Sequence, residues 1–182
     1  MYKRQVDEPG VARLHVMLKG GGSDNASRVV MLTPSAGKQG IIDTVLQCVR
    51  EKAANACPPL IVGVGVGATF DKVGGLAKHA LMRPLGQNHS NPEVAAFEAE
   101  LLSAINATGI GAGALGGCTT ALGVRVETAP CHIAALPVAV NMGCSAMRRA
   151  TVELDCLELP QEMSRELSQL VETSSKDCLL YT

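Results

Sequence analysis

The chain has 182 residues, 47% of them hydrophobic, which is enough to close one core and bury roughly two thirds of the unfolded surface. Sixteen Lys and Arg stand against seventeen Asp and Glu, with two Tyr, two Phe and no Trp, so neither a basic field nor base-stacking aromatics mark the chain for nucleic acid. No apolar run reaches the length of a membrane span, and "MYKRQVDEPG" lacks the apolar core of a signal peptide; a cytoplasmic location without membrane attachment is expected.

In chain order, "RLHVML" from Arg13 to Leu18 alternates as a strand and runs into "KGGGSDNAS", read as a glycine-rich loop whose side-chain oxygens suit turns. "GIIDTVLQCVREKAANA" carries Ile42, Val45, Leu46, Val49 and Ala53 on one helical stripe. That helix must stop at Cys57, because Pro58 and Pro59 follow and a residue before proline is pushed out of the α region. "LIVGVGVG" reads as a buried strand leading to a glycine turn, and "DKVGGLAKHALMR" as the next helix. "NPEVAAFEAELLSAINATG" is the clearest helix, with Pro92 and Glu93 at its start and Gly109 just past its end. "TTALGVRVETAP" alternates as a strand, and "AALPVAVNMG" reads as a buried strand and turn. "CSAMRRATVELDCLEL" and "QEMSRELSQLVETSS" are expected to be helical. Strands alternating with helices predict a single α/β layered domain, with a mixed sheet and flanking helices and no internal repeat.

The seven cysteines, at 48, 57, 118, 131, 144, 156 and 178, are odd in number and contain no C-x-x-C pair. That pattern argues for reduced thiols and against a disulfide framework, a zinc ribbon or a thioredoxin-type pair, so a metal site would have to be assembled from distant segments. Cys57 stands on the corner stiffened by two prolines, and Cys144 would open a helix whose positive end favours a thiolate. Cys48 belongs beside the apolar stripe of its helix as a small hydrophobe, and Cys118, Cys131 and Cys156 have no ligand argument. His132, in the apolar run "CHIAALPVAVNMGC", is either a hydrogen-bonded core residue or a site residue.

Gly63, Gly65 and Gly67 invite a phosphate reading, but Ala68 occupies the place of the third glycine of G-x-G-x-x-G and no P-loop motif occurs. A nucleotide-binding enzyme therefore stays only as an alternative, beside a non-catalytic interaction remnant. "GIGAGALGG" suggests tight packing and turns. Lys19 with Gly20, Gly21 and Gly22 could offer a cation and backbone N–H groups to a carboxylate, or form a plain surface turn.

"KGGGSDN", "ACPPLIVGVGVGATFDKVGGLAKHALMRPLG", "LGGCTTALGVRVETAPCHIAALPVAVNMGC" and the "RR" that follows resemble, in collinear order, the α-subunit of two-subunit class I fumarate hydratases and L(+)-tartrate dehydratases. The resemblance implies a hydro-lyase that adds or removes water on a C4 dicarboxylic acid, using an oxygen-sensitive 4Fe-4S cluster held by three separated cysteines. It places two of those ligands on Cys57 and Cys144, a substrate-contacting histidine on His132, and a substrate-contacting glycine within Gly20–Gly22, best at Gly21. It also implies a β-subunit partner supplying further substrate groups. The family's first cluster cysteine lies upstream of the glycine loop in a segment without a counterpart here, which makes the chain resemble a truncated α-subunit over residues 6–176, inactive alone. Residues 1–5 and 177–182 do not continue the family pattern and are expected to be non-native ends.

Overall fold

A computed structural model describes residues 11–155. The chain divides into two units, Val16–Ala150 and a smaller one built from residues 1–15 and 151–182. In the smaller unit the described parts are strand ends, joined by an Arg13–Glu153 ion pair of 2.8 Å and a His15 Nδ1 to Thr151 Oγ1 bond of 2.8 Å.

The elements run β1 (Val11–Leu18), α1 (Gly21–Asn25), β2 (Arg28–Leu32), α2 (Gly37–Lys52), β3 (Leu60–Gly67), α3 (Phe70–Ala80), α4 (Pro92–Asn106), β4 (Ala121–Ala129), β5 (Leu136–Gly143) and β6 (Arg148–Asp155), with short 3-10 turns between some of them. A four-stranded sheet has the order β2-β5-β3-β4, and β1 pairs with β6. β3 lies parallel to β4 and antiparallel to β5, with Ile61 opposite Gly143 and Val66 opposite Val138. The expected α/β layering with a mixed sheet is what the chain forms.

Side chains of a strand alternate between faces, and in "LIVGVGVG" the alternation sorts large from absent. Leu60, Val62 and Val64 enter the main core with Val45 and Val49 of α2 and Leu101 and Ile105 of α4. Fully burying such side chains contributes about 1.5–3 kcal/mol each. Gly63 and Gly65 face α3 on the other side. A Cβ on Gly63 would stand 2.2 Å from the Ala77 carbonyl oxygen, and one on Gly65 would stand 2.4 Å from that of Val73. These glycines are spent on helix-to-sheet contact.

Glu98 of α4 fastens the other edge. Almost fully buried, it accepts a 2.7 Å bond from the Val126 N–H and pairs with Arg83, while Arg125 approaches it at 3.5 Å. Arg125 donates in turn to the carbonyls of Pro84 and Val124, so the loop after α3, α4 and β4 share one ionic junction. Asn91 caps α4 by accepting from the Glu93 N–H at 2.8 Å, and Gly109 beyond it has φ +69°, as the start and stop signals required.

Two expectations need correction, and one strand adds to the expected elements. Lys19–Ser27 is not simply a loop, since Gly21–Asn25 closes one helical turn. The added strand is β2, since an edge strand of five residues with half its side chains outside gives little periodic signal. The helix expected from Cys144 onward does not form over the described residues. Cys144 instead begins a β-turn, its carbonyl accepting from the Met147 N–H at 3.0 Å, and Arg148–Asp155 is a strand. Thr151 and Val152 are β-branched, and β1 supplies the pairing edge, so the tertiary partner outweighed local helix tendency. The helix expected over residues 161–175, with Cys156 and Cys178, lies outside the described residues.

Cys48 took its assigned place. It is fully buried and its thiol donates to the Ala26 carbonyl at 3.3 Å, while burial pushes its pKa up. A pKa raised on folding gives stability that is complete below the unfolded thiol's value and fades as the pH rises above it, since only the unfolded thiol then ionises. Stability measured by urea titration is therefore expected to fall above about pH 9. Cys48 should react with a maleimide only on unfolding, whereas exposed Cys118 and Cys131 should react at once. Immediate labelling of Cys48, read by peptide mass, would contradict this.

Candidate functional site

Antiparallel pairing of β3 with β5 brings the start of one strand to the end of the other, and the two expected ligand cysteines flank those points. The 3-10 turn Ala53–Ala56 delivers the chain to Cys57, whose φ of 54° and ψ of 70° are left-handed. A non-glycine residue there costs about 1 kcal/mol and turns the side chain outward at the corner. Cys57 is exposed and Cys144 buried, and the Cys57 carbonyl accepts from the Ser145 N–H at 3.2 Å, so the two segments meet directly.

The glycine segment closes on the same end. A Cβ on Gly20 would lie 4.0 Å from the Cys144 Sγ, and one on Gly22 would lie 2.7 Å from the carbonyl oxygen of Asn55, two residues before Cys57. Buried Ser23 ties the turn by donating to the Gly20 carbonyl at 2.8 Å. Gly21 is exposed, with no atom near enough to meet an added Cβ. Asn141, buried on β5, donates to Ser27 Oγ at 2.9 Å and keeps the segment on the sheet.

Lys19, expected to offer a cation to a carboxylate, is already engaged by a carboxylate of its own chain. Its side chain is only 8% exposed and its Nζ lies 3.0 Å from Asp24 Oδ1. Burial pushes the Lys19 pKa down, and the Asp24 hydrogen bond and charge, with a smaller contribution from Cys144, act against that shift. The Lys19 bond in turn holds the Asp24 carboxyl below its ordinary value. Lys78, in the last turn of α3, approaches the same Asp24 oxygen at 3.5 Å and is 54% exposed. Nothing in the periodicity of "DKVGGLAKHALMR" separates Lys78 from its neighbours. Only the antiparallel return of α3 along β3 carries it to the end where Cys57 stands.

The segment "GIGAGALGG" also arrives there, with Gly113 N–H donating to the Pro58 carbonyl at 2.9 Å. It acts as a brace behind the Cys57 corner, in keeping with tight packing and turns.

His132 is placed elsewhere. It lies between β4 and β5, exposed, with its Nδ1 accepting from the Ala134 N–H at 3.1 Å. The end of β3 is its neighbour, where the Ala68 N–H meets the Pro130 carbonyl at 3.3 Å. A hollow of about 510 Å³ lined by Thr69, Lys72, Leu76, Cys131 and His132 opens at this end. The eight residues of β5 separate it from Cys144 by roughly 24 Å. His132 is thus neither a core residue nor, within one chain, a neighbour of the two cysteines.

All five described cysteines are free thiols, and among the described residues no group of three or more His, Cys, Asp or Glu stands close enough to hold a metal ion. Among these residues, too, no helix is long and apolar enough to cross a membrane.

Comparison with known proteins gives the family. The profile of the fumarate hydratase (Fumerase) family matches residues 3–153, and the chain belongs to that family. It is 48% identical over 132 residues to a Methanocaldococcus jannaschii protein named "Putative L(+)-tartrate dehydratase subunit alpha", covering 72% of this chain and 46% of that one. It is 38% identical over 141 residues to the L(+)-tartrate dehydratase subunit alpha of Escherichia coli K12, covering 78% and 46%. The chain spans about half the length of these relatives.

Proposed function

We propose that this chain is the cluster-holding part of a hydro-lyase α-subunit, acting on a C4 dicarboxylic acid such as fumarate, malate or tartrate. Family membership and the relatives' names support the reaction class. The observation that carries the site is the convergence of Cys57 and Cys144, joined through the Cys57 carbonyl and the Ser145 N–H, beside the glycine segment.

The donor set fits an iron–sulfur cluster as two of its three thiolates, since both are free, one is exposed, and the glycine segment leaves no bulk between Gly20 and the Cys144 sulfur. A bound 4Fe-4S cluster would supply a Lewis-acidic iron that makes hydroxide a tolerable leaving group. The chain's own residues do the rest. Gly20, Gly21 and Gly22 offer backbone to a substrate carboxylate, Lys19 fixes that segment through Asp24, and the apolar strands β3 and β5 exclude water from one side. His132 is proposed as a substrate-contacting residue, and with β5 holding it roughly 24 Å from Cys144, it reaches a site there from a second copy of the chain. A third cysteine, a β-subunit and a cytoplasmic, reducing location complete the reading.

The test is anaerobic reconstitution of the 182-residue chain alone, then joined to the upstream segment of a related α-subunit, each with and without a β-subunit. Two thiolates and an open face should hold at best a labile cluster, so fumarate hydration or tartrate dehydration is expected only with all parts present. Robust turnover by the chain alone would reject the division of the site among segments. A complete, cluster-loaded assembly inert toward both acids would reject the reaction.

A further inference from the structure

Resting on the dicarboxylate reading, we infer that Lys78 is a substrate-binding residue of this site and that Lys19 and Asp24 are its positioning residues. Two ammonium groups share one carboxylate oxygen, at 3.0 Å from Lys19 and 3.5 Å from Lys78, so their nitrogens stand no more than about 6.5 Å apart, the sum of those two distances. One carboxylate neutralises one of them, leaving a surplus positive charge at the end of the sheet where Cys57, Cys144 and the glycine segment meet.

The two lysines are not equivalent in access. The Lys19 side chain is 8% exposed and one of its donors is taken by Asp24 at hydrogen-bonding distance, so an incoming carboxylate has less access to its nitrogen than to that of Lys78. Lys78 is half exposed and its contact with Asp24 is longer than a normal hydrogen bond, which leaves its donors available. A dianionic ligand therefore meets Lys78 first. Asp24 keeps the ammonium near the site in the empty state, and the closed Lys19–Asp24 bond fixes Asp24 in place.

Lys78 also sits on a firm mount. The Ala77 backbone lies against Gly63, and Val73 and Ala77 are fully buried, so the last turn of α3 cannot slide along β3. A charge-assisted contact from a positioned group of this kind changes affinity by about tenfold or more.

The experiment uses the complete cluster-loaded assembly of α- and β-parts, with succinate as an unreactive dicarboxylate titrated calorimetrically under anaerobic conditions. Lys78→Gln should weaken succinate about tenfold or more and raise KM similarly, with kcat within about threefold and iron content unchanged. Lys78→Arg should recover most of the affinity, and the parent's affinity should fall with salt more steeply than that of Lys78→Gln. Parental succinate affinity in Lys78→Gln, or iron lost together with affinity, overturns the inference, as does a parent that does not bind succinate. An assembly that binds succinate through Lys78 yet turns over neither acid would remove the hydro-lyase reading alone. Normal turnover with an unchanged KM in Lys78→Gln would remove only Lys78.

Discussion

Cys57→Ser and Cys144→Ser should each abolish the visible iron–sulfur absorption of the complete, anaerobically reconstituted protein, and turnover with it. Serine keeps the size and the backbone but replaces a soft thiolate with a hydroxyl that stays protonated near neutral pH and suits iron–sulfur ligation poorly. Neither position has a substitute close by, since no other described cysteine joins them in a potential metal group. Cys118→Ala and Cys131→Ala provide the contrast. Both thiols are exposed, Cys131 at the His132 end and Cys118 just before β4, and both variants should keep full iron and sulfide content. Parental cluster content in either serine variant, measured by iron and sulfide analysis, would reject the ligand assignment.

In the complete, cluster-loaded assembly, His132→Ala should keep the cluster and lose turnover by roughly 10² or more, the scale of one removed polar group acting on the reacting substrate. The placement of His132 makes the second half of the experiment more telling. If the histidine serves the cysteine end of another copy, then mixing His132→Ala chains with Cys144→Ser chains creates assemblies in which one site has both an intact histidine and an intact cysteine. Activity in the mixture should rise well above that of either variant alone. A mixture as inactive as its components, with hybrid formation verified by mass, would rule out service between chains. Parental kinetics in His132→Ala would remove the residue from the site altogether.

The contrast between His132 and Cys144 shows where sequence reading reached and where it stopped. The two lie in one apolar run, twelve positions apart in the numbering, and their proximity in the sequence suggested proximity in space. Extended backbone does the opposite, because each residue of β5 adds about 3.4 Å between them. Elements with strong local signals were legible: Asn91 and Pro92 announce α4, the prolines after Cys57 stop the chain at that corner, and the small-and-large alternation of Leu60–Gly67 marks a strand. Signals that depend on a partner were not. Arg28–Leu32 becomes a strand because β5 lies beside it, Arg148–Asp155 because β1 does, and Lys78 joins the site because α3 turns back along β3. Cys144 was singled out for a helix that does not form there, so its case rests on the β3–β5 pairing and the adjacent glycine segment.

Gly63 and Gly65 give the β3–α3 contact a genetic meaning. A single base change in a glycine codon, GGN to GCN, writes alanine, the mildest replacement the code allows. In strand β3 that added methyl would collide with the backbone carbonyls of Ala77 or Val73, and backbone cannot rotate aside as a side chain can. Yielding would mean lifting α3 off the sheet, and its last turn would carry Lys78 away from Asp24. Variants at these two codons are thus expected to appear in a mutational screen among the loss-of-function alleles, although neither residue has a side chain.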